Sequence, residues 1–292
     1  MLLSIFSKFA FYSYWGMALV ATIVVTVIVA MVSKSVHRKF FGVVAGILVM
    51  CGFITPIALQ INEDKKVVEA KQDRYSTAKA IFDERCKSAG EKIYKTVDNV
   101  EGVTLLKVRP DWNRQTYNAW DDPMWADAGL PRQKIADNYI NSFLGWNVEN
   151  RNLVYEPYNP SSFKVTKGYN FVDVKKDNEY IQHRLKPNAN SEALSRTLTE
   201  LVKKPSRYAI DYINYIDPKD REYWVAGTKV TITDTQTNEI LAEKTWYALE
   251  PGQGSHAGQR EPWLAGAISC PIDGRESIPT RSFVEKVLIP KQ

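Results

Sequence analysis

The sequence predicts an α+β protein in which two N-terminal transmembrane helices precede an exported domain with an antiparallel β-sheet and a few helices. Two long uncharged segments near the N-terminus predict the transmembrane helices. Strand-like runs separated by turn residues recur along the remaining chain and predict the sheet. A pair of cysteines outside the uncharged segments indicates where that domain resides.

The two uncharged segments are long enough to cross a bilayer. Residues 9–32 are 24 residues without a charge, and residues 40–61 are a further 22. A helix rises about 1.5 Å per residue, so each segment matches a hydrocarbon core of roughly 30 Å. The first segment is too long for the apolar region of a cleavable signal peptide. We therefore expect residues 1–61 to form a two-helix anchor in the lipid bilayer.

The loop between the segments indicates the orientation of this anchor. Residues 33–39 include Lys34, Arg38 and Lys39. Short loops rich in Lys and Arg stay in the cytoplasm, whereas long domains cross largely regardless of charge. Four basic residues within 65–74 oppose this orientation, but acidic residues are interleaved with them. We expect a cytoplasmic loop, with the N-terminus and the C-terminal domain on the other side of the membrane.

Charge divides sharply along the chain. All 33 acidic residues follow residue 62, together with 34 of the 38 basic residues, so the exported part has a net charge of +1. Nucleic-acid binding requires a basic surface that meets phosphates. We therefore expect no nucleic-acid partner.

Cysteine usage also favours export. Cys51 lies in the second apolar segment, which leaves only Cys86 and Cys270 in the rest of the chain. Two cysteines in a domain of this size are what one structural disulfide leaves in an oxidising compartment. The alternative is two unrelated buried thiols. We expect a Cys86–Cys270 disulfide.

Residues 62–90 predict a helical stalk that continues the second segment and stops near Gly90. The domain of residues 91–292 then begins with two strand-like runs around a turn, which predict a β-hairpin over residues 92–110. Residues 169–185 predict a second hairpin in the same way. No internal repeat and no low-complexity linker divides the domain.

The second half of the domain gives one predicted helix and three predicted strands. Residues 190–204 predict a helix because leucines recur at a spacing of three to four residues. Residues 208–216, 224–235 and 239–249 predict strands, and a three-residue turn joins the last two as an antiparallel hairpin.

The Gly-rich loop of residues 250–263 is the most unusual segment. It lacks the Lys and Ser or Thr of a phosphate-binding P-loop, and Pro262 opposes the helix that a dinucleotide loop needs. His256 follows Ser255 directly, and adjacent residues rarely form a base and nucleophile pair. We interpret the loop as structural or partner-facing, with His256 as a candidate ligand-binding residue. Because His256 and His183 belong to no ligand cluster, we expect no metal and no cofactor.

Residues 109–131 combine aromatic and acidic side chains. The candidate ligand-binding residues here are Trp112, Trp120, Asp121, Asp122 and Trp125. Aromatic rings beside carboxylates bind sugars or peptides, and paired carboxylates catalyse glycoside hydrolysis. The alternative is an irregular loop that covers the sheet with buried tryptophans. The sequence leaves these alternatives open, and no catalytic residue is assigned.

One resemblance covers about half of the exported domain. Residues 207–254, followed by PWLAGAISCP at 262–271, look like hypothetical envelope proteins of Gram-negative bacteria, and residues 91–110 are similar to their N-terminal part. The resemblance implies an inner-membrane protein with a periplasmic domain, and it transfers no site residues. We expect a binding protein that has a protein partner in the envelope, as a subunit, accessory factor or immunity-type factor. The alternative is a membrane-tethered hydrolase acting on cell-wall glycan or peptide.

Overall fold

The computed structural model describes residues 14, 16–17, 19–29, 31, 36–111, 119–131, 133, 135–144, 168–185, 197–264, 266–272 and 278–291. The chain divides into two compact units, Met1–Asp73 and Arg74–Gln292. The second unit contains the β-sheet and the residues of the candidate site.

The N-terminal unit is helical wherever it is described. Residues 19–29 are helical, and helix α1, Val36–Cys86, begins in this unit. The Thr26 hydroxyl donates to the carbonyl of Thr22 at 2.7 Å, so this polar group is satisfied within its own helix. In the part of the chain that the structure describes, no helix is both long enough and apolar enough to span a membrane. The two predicted segments are thus confirmed as helical over residues 19–29 and 40–61. That they span a membrane is not confirmed and stays a prediction.

The second unit is built on a nine-stranded sheet with the order β1-β9-β8-β7-β3-β4-β5-β6, in which β10 also pairs with β9. The strands are β1 Gly90–Ile93, β3 Gly102–Leu105, β4 Phe171–Lys176, β5 Glu179–Leu185, β6 Thr197–Val202, β7 Tyr208–Tyr215, β8 Val225–Asp234, β9 Glu239–Leu249 and β10 Ile268–Cys270. A separate parallel pair joins β2, Val97–Val100, to β11, Leu288–Pro290. Besides the end of α1, the described residues of the unit form the helices α2 Ala136–Phe143, α3 Pro218–Glu222 and α4 Pro279–Val287.

The sheet is mixed, which corrects the prediction of an antiparallel sheet. Strand β3 runs parallel to both of its neighbours, β4 and β7. Its four residues are all buried, as expected for a strand that is covered on both faces. The direction of such a short central strand cannot be predicted from its own residues, because the strands that pair with it are distant in sequence.

Two of the three predicted hairpins are confirmed. Strands β4 and β5 pair antiparallel, as do β8 and β9. The predicted hairpin over residues 92–110 is wrong, because each of its strands pairs elsewhere: β1 with β9, β2 with β11, and β3 with β4 and β7. Distant partners override the local turn pattern there.

The helix predicted over residues 190–204 is also wrong where the structure describes it. Residues Thr197–Val202 form β6, which pairs along its whole length with β5. Leu198 and Leu201 are exposed on this strand and do not form a buried stripe. The β-branched residues Thr197, Thr199 and Val202 favour a strand, and the leucine spacing concealed that preference.

The main core lies on one face of the sheet, under α2 and α4. Tyr139 and Phe143 from α2 are buried there with Phe283 from α4. The ring of Trp246 on β9 meets the ring of Phe283 edge-on, with centroids 6.2 Å apart. Alternate residues of β3, β7 and β8, with residues of β4 and β9, also contribute to this core, as the two-residue period of a strand requires.

The C-terminal part of α1 covers the other face. Ala78 and Phe82 pack against Val225, Tyr247 and Leu249. The helix ends at Cys86 and β1 begins at Gly90, so the helix predicted over residues 62–90 is confirmed over residues 62–86, and its role as a stalk stays a prediction. This helix therefore belongs to the body of the second unit from residue 74 onward.

The predicted disulfide is present. Cys86 is bonded to Cys270, with Cα atoms 5.8 Å apart across 184 residues of sequence. Cys270 pairs with Tyr247 and Gly90 pairs with Thr245, so β10 and β1 lie end to end along the same side of β9. The bond closes the junction between these two short strands. A structural disulfide suggests an oxidising location outside the cytoplasm.

Candidate functional site

Two loops meet over one end of β8 and form the candidate site. The first loop, residues 119–131, contains two short 3-10 helices, Ala119–Asp121 and Ala126–Gly129. The second is the Gly-rich loop of residues 250–263. A Cβ atom on Gly129 would lie 2.4 Å from the backbone of Gly227 on β8, so only glycine permits this close approach.

Buried tryptophans fill the space between the loops. Trp125, Trp224 and Trp263 are buried together with Ala226 of β8, and Trp120, which is half-buried, packs against them. The rings of Trp120 and Trp125 meet edge-on with centroids 4.5 Å apart. We call this group the tryptophan cluster. It holds the two loops in one arrangement by burying large aromatic surfaces.

Unusual backbone conformations concentrate around the tryptophan cluster. Trp224 and Trp263 have φ values of 57° and 62°, and Gln253 and Gln259 have values of 46° and 61°. A bulky residue in this left-handed region costs on the order of 1–3 kcal/mol and persists only where its surroundings enforce it. Such residues collect at binding and catalytic sites, so their presence here favours a functional role.

Arg221 holds the first loop in place through hydrogen bonds to its backbone carbonyls. Its guanidinium donates to the carbonyls of Trp125 at 2.7 Å, Pro123 at 3.2 Å and Tyr215 at 3.1 Å. It also lies 5.7 Å from the centre of the Trp263 ring. Burial lowers the pKa of Arg221 to about 10, so the side chain remains charged at neutral pH. Its cationic hydrogen bonds are stronger than neutral ones and fix the path of the loop.

Glu250 anchors the second loop. Its side chain is fully buried and accepts hydrogen bonds from the backbone amides of Gly252 at 2.6 Å and Trp263 at 2.9 Å. The guanidinium of Arg260 also binds the same carboxylate. These contacts join both ends of the loop, so the exposed residues between them are held on a fixed base.

A buried ion pair ties the first loop to the sheet. Arg109 donates to Asp127 at 2.5 Å and to Thr228 at 3.2 Å, and the Asn214 amide donates to the same Asp127 oxygen at 3.0 Å. The Arg109 guanidinium lies 4.2 Å from the centre of the Tyr212 ring. Burial raises the pKa of Tyr212. This network is too deeply buried to meet a ligand, and its role is to position the loop.

The exposed part of the site is a small mixed surface, formed by Trp120, Asp121, Met124 and His256, which we call the rim. The imidazole Nε2 of His256 lies 3.1 Å from Oδ1 of Asp121, and the two side chains are 58% and 26% exposed. Met124 is 39% exposed, whereas Trp120 is half-buried. The rim thus offers apolar and polar groups side by side.

The structure brings most of the predicted ligand-binding residues together. Asp121 and His256 form the polar part of the rim, beside Trp120. Trp125 is buried, and Asp122 accepts a hydrogen bond from the amide of Met124 at 2.8 Å. These two residues support the side chains of the rim. Their contact with a ligand stays a prediction. Trp112 lies outside the described residues.

Sequence reasoning missed several residues that build the site. Arg221 and Glu250 are the anchors of the two loops, and Trp224 and Trp263 form half of the tryptophan cluster. Trp263 stands in the Gly-rich loop that the sequence analysis singled out, but nothing in its spacing indicated burial against residues of the first loop.

The residues present do not converge as metal ligands. Among the described residues, no group of three or more His, Cys, Asp and Glu side chains is placed to hold a metal ion. The carboxylate of Asp121 faces an imidazole, and that of Asp122 accepts a backbone amide.

Comparison with models of known protein families, with curated proteins and with solved structures finds no match. The resemblance to envelope proteins of Gram-negative bacteria therefore stays an expectation. The function is inferred from the geometry of the rim and from the location that the disulfide suggests.

Proposed function

We propose that this chain is a bacterial inner-membrane protein whose periplasmic domain binds a protein partner of an envelope complex through the rim. It acts as a subunit, accessory factor or immunity-type factor of that complex. Residues 1–61 anchor it in the bilayer, with residues 33–39 in the cytoplasm and the N-terminus and C-terminal domain in the periplasm.

The rim carries this proposal, because it has the composition and the support of a protein-binding surface. Aromatic residues and Met are enriched in interfaces, and Trp120 and Met124 supply both at the surface. Asp121 and His256 add polar groups that can fix the orientation of a partner. The anchors below hold these side chains in place before binding, which reduces the entropy lost on association.

Two further observations support the periplasmic location. The Cys86–Cys270 bond requires an oxidising compartment during folding. The uncharged segments 9–32 and 40–61 match the length of a bilayer core, and the basic loop between them matches a cytoplasmic turn. The near-neutral charge of the remaining chain fits a protein partner better than a nucleic acid.

Site-specific photo-crosslinking tests the proposal in intact membranes. A benzophenone side chain at position 124 is expected to capture one partner in high yield. The same group at position 87, where the native Lys87 side chain is 72% exposed, serves as the control and is expected to capture little. Trp120→Ala or His256→Ala is expected to reduce the capture at position 124 several-fold, because each removes a rim contact.

Three results would contradict the proposal. The first is equal capture at positions 124 and 87, and the second is capture that survives both rim substitutions. The third is a purified chain that is free of any partner and cleaves peptidoglycan, which would favour the hydrolase instead.

A further inference from the structure

The two edges of the nine-stranded sheet are built very differently. At one edge, β9 is covered by β1 and β10, which are four and three residues long and are closed together by the Cys86–Cys270 bond. At the other edge stands β6, which is six residues long and pairs with β5 at every position. Among the described residues, no strand lies on the outer side of β6.

Strand β6 lacks the features that usually protect an edge. Natural edge strands carry prolines, bulges or outward charges that prevent another strand from pairing with them. The pairing of β6 with β5 is regular, and Thr197–Val202 contains no proline. Its one charged residue, Glu200, lies 3.5 Å from Arg184 of the neighbouring strand. In the described part of the chain, no strand pairs with the outward backbone groups of β6, which leaves them open to a further strand.

The side chains of β6 are unusually apolar for an exposed edge. Leu198 is 51% exposed and Leu201 is 67% exposed. Successive residues of a strand point to opposite faces, so these two leucines project from opposite sides of the sheet. A strand added beside β6 would cover part of both, with apolar side chains of its own on both faces.

The charges at the end of β6 indicate the chemistry of that strand. Lys203 and Lys204 follow β6 directly, and Lys175 and Lys176 end β4 two strands away, all of them exposed. Asp177 and Glu179 lie between these pairs and offset two of the four charges. An added strand would meet a net positive end of the edge, which favours acidic residues in the occupant.

We infer that β6 is a second interaction surface, which accepts an extended, acidic segment of a partner protein as an added β-strand. Backbone hydrogen bonds to β6 would supply affinity, while Leu198, Leu201 and the two lysines would select the segment. In the sheet order, β6 is separated from β8 by four strands, and β8 carries the loops of the rim. The two surfaces are therefore separate.

Hydrogen exchange on the full-length chain in detergent tests this inference with defined peptides. The probe is an extended peptide of alternating Val and Thr with two Asp residues at one end, and the control peptide carries two Lys residues instead. Alternate amides of β6 point away from β5 and are expected to exchange rapidly in the free chain. The Asp peptide is expected to slow them at least about tenfold, whereas the Lys peptide leaves them largely unchanged.

Charge reversal supplies the matched variants. Lys203→Glu combined with Lys204→Glu is expected to weaken binding of the Asp peptide by about threefold or more, because two attractions become repulsions. Lys92→Glu places one such charge reversal on β1, at the opposite edge, and is expected to have no effect. Leu201→Glu introduces an edge-protecting charge that also repels the Asp residues, and it is expected to abolish the protection by the peptide.

Three observations would overturn the inference. Protection of the outward amides of β6 in the free chain, at all concentrations, would show that the chain itself covers this edge. Protection that rises with protein concentration alone would assign the edge to a second copy. Equal protection by the two peptides, or no protection by either of them up to millimolar concentration, would exclude an acidic segment as the partner of β6. None of these results bears on crosslinking at the rim.

Discussion

The imidazole of His256 lies 3.1 Å from the carboxylate of Asp121, and this contact joins two loops that are far apart in the sequence. The pair is exposed to solvent, so its contribution to folding stability is small. Its consequence is geometric, because it fixes the outer side chains of the rim relative to each other. The loops themselves are held by the buried anchors, Arg221 and Glu250.

Replacement of His256 by Ala is expected to separate binding from stability. The free energy of unfolding should change by less than about 0.5 kcal/mol, because an exposed side chain away from the core is removed. Partner capture at position 124 should fall several-fold. Urea denaturation and crosslinking yield on the same preparation measure both quantities. A variant that is strongly destabilised would instead identify His256 as a structural residue.

Replacement of Asp127 by Ala is expected to be severely destabilising. Arg109 is fully buried, and the substitution removes the carboxylate that accepts its charge. An uncompensated buried charge typically costs about 3–5 kcal/mol. Chemical denaturation measures the loss, with Glu239→Gln as the control because it breaks only the exposed pair with Lys95. Similar losses for the two variants would contradict the importance of the buried pair.

The pair of Lys229 and Glu243 predicts a specific response to acid. The hydrogen bond from Lys229, at 2.7 Å, holds the pKa of Glu243 below its ordinary value of 4.5. A carboxyl group with a lowered pKa contributes stability above its unfolded pKa and loses that contribution as the pH falls through its folded pKa. Stability should therefore decline below about pH 4.5, and Glu243→Gln should decline less. Parallel pH profiles of the two proteins would exclude this contribution.

Removal of the disulfide is expected to destabilise the domain without changing its fold. Cys86→Ser should lower the free energy of unfolding by about 2–5 kcal/mol, because the unfolded chain is no longer constrained. Cys270→Ser and the double variant should show the same loss, since either substitution removes the whole bond. Thermal or chemical denaturation under non-reducing conditions gives the comparison. A double variant that is clearly worse than both single variants would indicate a further role for one thiol.

Reporter fusions test the orientation of the anchor. Alkaline phosphatase, which is active only after export, should be active when fused after Gln292 and inactive when fused within residues 33–39. The reason is the basic loop, which the positive-inside rule retains in the cytoplasm. The opposite pattern of activity would exclude a periplasmic domain.

The sequence predicted the parts of the fold that are encoded locally. Strands β4, β5, β8 and β9 contain β-branched and aromatic residues and are joined by tight turns, so their hairpins were recognisable. The Cys86–Cys270 bond is not local, because the two residues are 184 positions apart. It was predictable because the chain after Cys51 contains only these two cysteines.

The errors share one physical cause, which is that long-range pairing overrides local pattern. Residues 197–202 have leucines at a helical spacing, yet they form a strand because they pair with β5. The site shows the same limit. The aromatic segment and His256 were recognised as candidates, but Arg221 and Trp263 became part of the site only because the chain folds back beneath it.

The Cys86–Cys270 bond also determines how the domain responds to a mechanical load. A force pulling on the chain before residue 86 and after residue 270 passes through the two sulfur atoms, so the hydrogen bonds of β1 do not carry it. The segment between the two cysteines, whose positions are 184 apart in the sequence, cannot extend under that load. Fully extended, a segment of that length would reach roughly 600 Å at about 3.3–3.6 Å per residue. The disulfide therefore keeps the two ends of this segment at a fixed separation, whether or not the sheet around it is intact.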